Sequence, residues 1–287
     1  MSNIRIVTDS TADLAPELVE RYGIKVVPLE VLVNGKTYKD KIDITNEEYY
    51  EVLNTASVLP TTSQPSPAAF AETYRELAAE GAEHIISIHI SSELSGTYQS
   101  SVLAASLVTD NVTVHSFDSR TAAMGLGLIV VSAARLLEEG KSLEDVKARV
   151  EYMIQNVDLY FLLNSLDNLH KGGRIGKASH LFGSLLNIKP ILNLSDGEIS
   201  AYEKVRGNKG NKAMERLIAI LAEKIDPNRK VYCSVAYCDN LDIADYMVEK
   251  LKEKVDCDEF IYMQLGSVVS THTGMGTVGL AFYQLED

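Results

Sequence analysis

The sequence has few cysteines and no long hydrophobic run, and each shortage excludes a class of protein. Cys233, Cys238 and Cys257 lack CxxC spacing, so they indicate neither a disulfide framework nor a zinc site. We therefore expect reduced thiols and a cytoplasmic protein. The longest apolar stretch, 122–134, is too short and too rich in Gly and Ser to span a bilayer. A strand pattern begins at Ile4, so we expect no signal peptide.

Positive charge is also scarce in the 287 residues. The formal net charge is −13, with 27 Lys and Arg against 40 Asp and Glu. Nucleic-acid binding requires a basic face, so nucleic acid is not expected as a partner. The same charge disfavours adhesion to anionic lipid surfaces. Hydrophobic residues make up 46%, which is ordinary for a globular protein.

Motifs for nucleotides and metals are absent or incomplete. The run 274–279 matches G-x-G-x-x-G, but the acidic residue expected about 20 positions later would fall beyond Asp287. Gly140-Lys141-Ser142 resembles the end of a P-loop, yet Arg135 occupies the position of its first glycine. Neither HExxH nor GxSxG occurs, and the six histidines show no metal spacing. We expect no ATP site, no metal and no cofactor.

Strand-like and helix-like segments alternate through the first half of the chain. Apolar runs at 4–7, 84–90 and 112–115 are each followed by a helical pattern. Such alternation predicts a parallel sheet covered by helices on both faces. In the second half, 191–200 predicts a hairpin with an Asp-Gly turn. The fold class is therefore α/β.

The stretch 91–100 is the segment around which a site is most clearly organised. It follows the strand-like run 84–90 and precedes a helical pattern at 102–107. Open α/β sheets bind ligands at the carboxyl ends of their strands. A helix start offers free N–H groups and a positive dipole end, which favour an anion. Position and chemistry together predict an anion site here.

Hydroxyl groups are unusually dense in this stretch. Ser92, Ser95 and Thr97 supply hydrogen-bond donors, and Gly96 allows a ligand to approach the backbone. The alternative is that one serine merely caps the following helix. The number of hydroxyls favours a site.

Two other loops carry polar residues expected at the same rim. Residues 8–13 follow the first strand, although a plain helix cap is the alternative for Asp13. Residues 61–66, with Thr61-Thr62-Ser63, lie in a proline-rich stretch that we predict to be a stiff loop. Ser66-Pro67 has the pattern of a helix start. An ordinary connector would not explain this group of hydroxyls.

The second half contains two basic groups and a glycine-rich end. The loop 170–177 contains His170, Lys171, Arg174 and Lys177, and it predicts a docking or phosphate-facing patch rather than a plain surface turn. A second basic group consists of Lys204, Arg206, Lys209 and Lys212. The stretch 270–277, which includes His272, is predicted to be a loop before the last strand.

These motifs together resemble the DegV family, which includes the fatty-acid-binding subunits of bacterial fatty acid kinase. The resemblance covers essentially the full length. It is carried by Asp9-Ser10, Thr61-Thr62-Ser63-Gln64-Pro65, Ser92-Glu93-Leu94-Ser95-Gly96-Thr97, Lys171-Gly172-Gly173-Arg174-Ile175 and His272-Thr273-Gly274. Met275 departs from the family pattern, where a proline would follow the glycine. The departure concerns only the rigidity of that last loop.

The resemblance implies two α/β domains with a fatty acid buried between or within them. We expect an N-terminal parallel-sheet domain, 1–156, with rim loops 8–13, 61–66 and 91–100. The C-terminal domain, 157–287, is expected to have a mixed or antiparallel sheet, the basic loop 170–177 and the loop 270–277.

Site residues also follow from the resemblance. It implies that Thr62 and Ser95 hold the carboxylate of a long-chain, palmitate-like fatty acid, with weaker assignments for Ser92, Gly96 and His272. A separate ATP-dependent kinase subunit would phosphorylate that carboxylate, and Arg174, with Lys171 and Arg206, would dock it. The protein itself would not be an enzyme.

Two other functions stay open on the sequence. A serine acyl hydrolase would pair Ser95 with His272, but the sequence shows neither a third triad member nor a nucleophile elbow. A sensor of a non-lipid small molecule is the second alternative. Labelling of Ser95 by a serine-directed phosphonate would favour the hydrolase, and fatty acids copurifying with the protein would distinguish the lipid function from the sensor.

Overall fold

A computed structural model describes residues 3–108, 112–183, 188–207, 211–257 and 259–285. Its strands are β1 (Ile4–Asp9), β2 (Lys25–Val27), β3 (Glu30–Val33), β4 (Lys36–Lys39), β5 (Thr61–Ser63), β6 (His84–His89), β7 (Thr113–Asp118), β8 (Asp158–Leu162), β9 (Ile188–Ser195), β10 (Glu198–Arg206), β11 (Val231–Tyr237), β12 (Glu259–Gln264) and β13 (Val278–Gln284). Its α-helices are α1 (Pro16–Tyr22), α2 (Asn46–Thr55), α3 (Pro67–Ala79), α4 (Thr97–Leu107), α5 (Ala123–Glu138), α6 (Leu143–Asn156), α7 (Asp167–Lys171), α8 (Lys212–Lys224), α9 (Leu241–Lys252) and α10 (Ser267–Thr273). Lys209 of the second basic group lies outside the described residues.

The N-terminal half forms the predicted parallel sheet, in the order β2-β1-β6-β7. Helices α3 and α4 cover one face, where Phe70 and Tyr74 pack against Val7 and Ile85. Helix α5 contacts β1 and β6 and belongs to the core of the other face. The predicted α/β class, with a parallel sheet covered on both faces, is confirmed.

The C-terminal half forms a mixed sheet in the order β10-β9-β8-β13-β11-β12. Its strands pair antiparallel except β11 and β12, which are parallel. The β9–β10 hairpin turns at Asp196 and Gly197, both with positive φ, as the Asp-Gly pattern predicts. A mixed sheet in this half is therefore confirmed.

One helix connects the two halves. Helix α5 contacts β1 and β6 of the parallel sheet and β8, β11 and β13 of the mixed sheet. Its side chains from Ala123 to Ala134 are all buried. Because α5 is apolar on every side, it fits between two sheets better than on a surface. The boundary proposed at residues 156 and 157 stays a prediction.

Three expected loops contain regular structure instead. Residues 61–63 form β5, which pairs with β3 in a small antiparallel sheet completed by β4. The first half of the stretch 270–277, expected to be a loop, belongs to α10, which ends at Thr273. The basic loop lies between α7 and a 3₁₀ helix, Gly176–Leu181. Pairing and packing with distant residues, rather than local propensity, form these elements.

Candidate functional site

A largely apolar cavity of about 350 Å³ lies where the two main sheets meet α10. Small-molecule pockets in proteins have volumes of about 300–1,000 Å³. The apolar part of its wall is formed by Leu29, Ile90, Leu94, Ala122, Ala123, Met124, Leu159, Phe161, Leu169, Leu194, Ile199, Leu265, Val268 and Val269. The cavity is therefore large enough for a small apolar ligand.

Polar side chains from four distant segments are connected at this cavity. Thr62 of β5 and His272 of α10 share a hydrogen bond of 2.8 Å between Oγ1 and Nε2, and both line the cavity. Arg174 also lines it, and its Nε donates to the carbonyl of Leu94 at 3.1 Å. Ser95, which follows Leu94 in the sequence, also lines the cavity and is the fourth member of this polar group.

The fold brings the rim loops together because β1 and β6 are neighbours in the parallel sheet. Thr11 follows β1 and Ile90 follows β6, and both line the cavity. Asp9 fixes this edge, since its carboxylate accepts from the Thr11 N–H at 3.0 Å and from the Ile90 N–H at 3.1 Å. These two hydrogen bonds hold the backbone of the two rim loops in a fixed conformation.

Ser95 lies at the start of α4, where the helix has free N–H groups. Gly96 is the N-cap residue and makes no side-chain cap. The Ser95 hydroxyl lies 2.8 Å from the hydroxyl of Thr97 and 3.4 Å from its amide nitrogen. The hydroxyls and the positive end of the helix dipole together favour an anion beside Ser95.

Ser92 and Gly96 both contact other parts of the protein, and their predicted ligand contacts stay predictions. The Ser92 hydroxyl donates to Asp118 at 2.5 Å, and the side chain does not line the cavity as described. The carboxylate of Asp118 at the end of β7 thus engages this serine. A Cβ on Gly96 would lie 2.1 Å from Oε1 of Gln64, so the missing side chain makes room for Gln64, and a ligand contact at Gly96 stays a prediction.

His272 is neutral at physiological pH. Burial, and secondarily the nearby Arg174 cation, lower its pKa from 6.5 to about 4. Its Nδ1 is buried and has no hydrogen-bond partner among the described residues. A Cβ on Gly172 would lie 2.4 Å from this atom, so the basic loop packs directly against the imidazole.

This geometry does not form a hydrolytic triad. The Nε2 of His272 is hydrogen-bonded to Thr62, whereas Ser95 is bonded to Thr97. Within the described residues no carboxylate orients Nδ1. A base with a pKa near 4 is also far from the value that proton abstraction at neutral pH requires. The observed contacts give no support to the Ser95–His272 hydrolase.

The predicted docking residues occupy two separate places. Lys171 and Arg174 are exposed in the basic loop beside the cavity. Arg206 is exposed at the end of β10, seven residues beyond the cavity residue Ile199, or about 23 Å along the strand. Lys177 of the same loop is paired with Glu198 at 3.3 Å, so part of the loop's charge is neutralised.

Several cavity residues were not assigned from the sequence. Gln64 and Thr273 lie one or two positions from assigned residues, so the motifs themselves contained a signal for them. Val268 and Val269 had none, because they lie between the predicted strand ending at Gln264 and the predicted loop 270–277, where no element was expected. Arg174 was assigned to docking only, yet its side chain lines the cavity.

Neither a metal site nor a membrane span is found in the described part of the chain. No group of three or more His, Cys, Asp or Glu side chains there is arranged to bind a metal ion. None of the helices in those ranges combines the length and hydrophobicity that crossing a bilayer requires.

The fold and the site define an α/β protein with a ligand-sized cavity between a parallel and a mixed sheet. The model of a family described as "Uncharacterised protein, DegV family" matches residues 3–285. The chain belongs to the DegV family.

Three solved relatives have the same fold over nearly their whole length. A DegV family protein of Thermus thermophilus, described by its fatty acid binding, is 40% identical, with a TM-score of 0.89 over 98% of this chain and 99% of its own. DegV of Bacillus subtilis, a fatty acid binding protein, is 34% identical, with a TM-score of 0.90 over 99% and 100%. A stearic acid-binding protein of Eubacterium ventriosum is 28% identical, with a TM-score of 0.90 over 99% and 98%.

Proposed function

We propose that this protein binds a long-chain fatty acid in the cavity and presents its carboxylate to a separate ATP-dependent kinase subunit, which forms the acyl phosphate. The observation that carries the proposal is an apolar cavity to which Thr62, Ser95 and His272 add polar groups from three segments. The fatty-acid-binding descriptions of the Thermus, Bacillus and Eubacterium proteins support the ligand class.

The apolar wall supplies most of the binding free energy. A palmitate-like chain has about 14 methylenes, and burying each contributes roughly 0.8 kcal/mol, about 11 kcal/mol before the cost of association. Hydrogen bonds to a charged head group contribute only about 1.5–3 kcal/mol each. The tail therefore supplies most of the affinity, while the polar groups determine orientation and add a smaller share that the loss of one hydrogen bond would reduce.

The head-group contacts leave the carboxylate able to react. Hydroxyls of Thr62 and Ser95 and the start of α4 stabilise the anion by hydrogen bonds and dipole. Arg174 already donates to two backbone carbonyls, those of Leu94 and Gly172. It therefore does not need to form a bidentate pair with the carboxylate. An oxygen held only by hydroxyls remains available to attack a phosphoryl group.

The phosphoryl donor would come from the partner subunit. The sequence contains no complete nucleotide motif, so Mg-ATP is assigned to the kinase. Lys171 and Arg174 beside the cavity, and Arg206 about 23 Å along β10 from Ile199, would contact that subunit. A standard interface covers about 800 Å² per partner, which spans this separation. The protein would then be a non-catalytic, lipid-binding subunit.

Mass spectrometry of the protein as isolated tests the ligand. We expect long-chain fatty acids to copurify. Ser95→Ala should reduce the retained amount, whereas Ser92→Ala is the matched control, because its hydroxyl faces Asp118. A non-lipid ligand, or equal retention by Ser95→Ala and the native protein, would contradict the proposed site.

A coupled assay with a fatty acid kinase subunit and ATP tests the division of labour. Lys171→Glu and Arg206→Glu should lower acyl phosphate formation and leave bound fatty acid unchanged, while the exposed Lys254→Glu serves as control. Arg174→Ala is a poorer probe, because this side chain lines the cavity. ATP consumption by the purified protein without the subunit would refute the proposal.

A further inference from the structure

A second cavity of about 580 Å³ adjoins the apolar cavity. Its lining is largely polar and includes Asp158, Asn193, Ser195 and Lys224. Leu159 and Leu194 line both cavities. These two leucines, called the leucine wall below, separate an apolar space from a polar one.

The leucine wall lies far from the polar group around His272. The carboxyl end of β8 is near α10, because Asn164 donates to Met275 and Asn168 donates to Thr271 at 3.1 Å each. Leu159 is near the opposite end of β8, three residues before its last residue, Leu162, or about 10 Å along the strand. An acyl chain whose carboxylate is beside His272 thus points its methyl end toward the wall.

Strand register holds the two leucines side by side. Tyr160 pairs with Asn193 in the antiparallel β8–β9 ladder, so the next position places Leu159 opposite Leu194. Leu194 in turn pairs with Ile199 of β10, which also lines the apolar cavity. Directly opposite side chains have Cβ atoms about 4.5–5.5 Å apart. The leucine wall and Ile199 therefore form a continuous row across three strands.

The backbone next to the wall also passes from one cavity to the other. Ser119, Arg120 and Thr121 line the polar cavity, whereas Ala122 and Ala123 line the apolar one. Arg120 and Ala123 have φ values of 55° and 45°, a region that non-glycine residues seldom adopt. Surrounding contacts must hold this crossing in place.

We propose that the leucine wall sets the maximum acyl chain length, an inference that rests on the proposed fatty-acid function. Each methylene that enters the apolar cavity improves affinity about fourfold. Beyond Leu159 and Leu194 the lining is polar, so a further methylene gains little burial and displaces hydration from polar groups. Binding should therefore fall off at the length that reaches the wall.

The test incubates protein with an equimolar mixture of saturated fatty acids of increasing length and identifies the retained acids by mass spectrometry. Leu159→Ala and Leu194→Ala should shift the retained maximum toward longer chains by about two carbons, because each truncation opens space at the wall. Leu194→Phe should shift it toward shorter chains. Leu77→Ala, an equal truncation in the core beneath α3 that lines neither cavity, should leave the maximum unchanged.

The outcomes separate the inference from the function on which it rests. If native protein retains no fatty acid, the proposed function fails. If native protein retains fatty acid and the wall variants keep its chain-length maximum, only the wall is overturned. An equal shift in Leu77→Ala also overturns it. If an alanine variant fails to fold, Leu194→Phe provides the test, because it should shift the chain-length maximum toward shorter acids. An unchanged chain-length maximum in Leu194→Phe overturns the inference.

Discussion

An acyl carboxylate bound beside His272 should raise the pKa of this imidazole, and the rise reports how close the two groups are. In the structure, burial and the Arg174 cation hold that pKa at about 4. An anion within about 4–6 Å favours the charged imidazolium and raises the pKa by about one to three pH units. The bound state should therefore show a pKa of about 5–7.

This coupling predicts how affinity depends on pH. The loaded protein binds the His272 proton more tightly than the free protein does, so binding takes up a proton between the two pKa values. Affinity should then rise as the pH falls toward 5. For a rise of about two pH units, binding at pH 5 would be about tenfold tighter than at pH 8. If burial alone governed the imidazole, this dependence would be absent.

Histidine NMR titration measures the effect directly. The Cε1–H resonance of His272 is identified by its loss in His272→Gln, and the other five histidines serve as internal controls. We expect its midpoint to rise on loading with fatty acid, while that of the distant His115 stays unchanged. His272→Gln should also reduce the tenfold affinity difference to about one. An unchanged His272 midpoint would place the carboxylate elsewhere and refute the head-group assignment.

Two further predictions concern the supports of this site. Burial raises the pKa of Asp13 to about 6 despite its 2.9 Å ion pair with Lys41. The folded state therefore binds the Asp13 proton more tightly than the unfolded state does. As the pH rises from 3.8 to 6, the free energy of unfolding should fall by up to about 3 kcal/mol because of this group. Asp13→Asn should remove that slope from urea unfolding measured across this range, and a retained slope would contradict it. Gly172→Ala should push His272 away from Thr62 and weaken fatty acid retention. Gly173→Ala, with open space around its Cβ but a φ of 71°, is the control and should lower stability without changing fatty acid retention. Similar fatty acid retention in the two variants would be evidence against the contact between Gly172 and His272.

The parallel sheet was predictable because the burial that stabilises it leaves a clear local pattern in the sequence. The apolar run 84–90 is buried on both faces, which requires continuous hydrophobicity and yields a clear pattern. The helix start at Ser66 was predictable for the same reason, since its hydroxyl accepts from the Ala69 N–H within one turn. The neighbouring placement of β1 and β6 then brings their two rim loops together.

Other elements depend on distant partners that no local pattern shows. Helix α10 begins where Asp13 accepts from the Gly266 N–H at 2.8 Å and Asp40 accepts from the Ser267 N–H at 3.0 Å. These carboxylates are more than 200 residues away in sequence, and the helix itself is rich in Ser, Thr and Val, which are weak helix formers. The three-residue β5 likewise exists through pairing with β3. Nor does sequence distinguish Ser92 from Ser95, because only the fold sets Asp118 beside the first.

Arg174 of the basic loop combines a predicted docking role with a position in the cavity wall. Arg174 uses two N–H groups for Leu94 and Gly172, out of the five that a guanidinium carries, and its remaining donors face the cavity or the surface. Gly172 packs against His272, so a partner that moves this loop also moves atoms in contact with the head-group site. Under the proposed function, docking at this loop would be coupled to head-group binding through the contact of Gly172 with His272. Lys171 is exposed and does not line the apolar cavity, so its substitution would test the proposed docking separately from head-group binding.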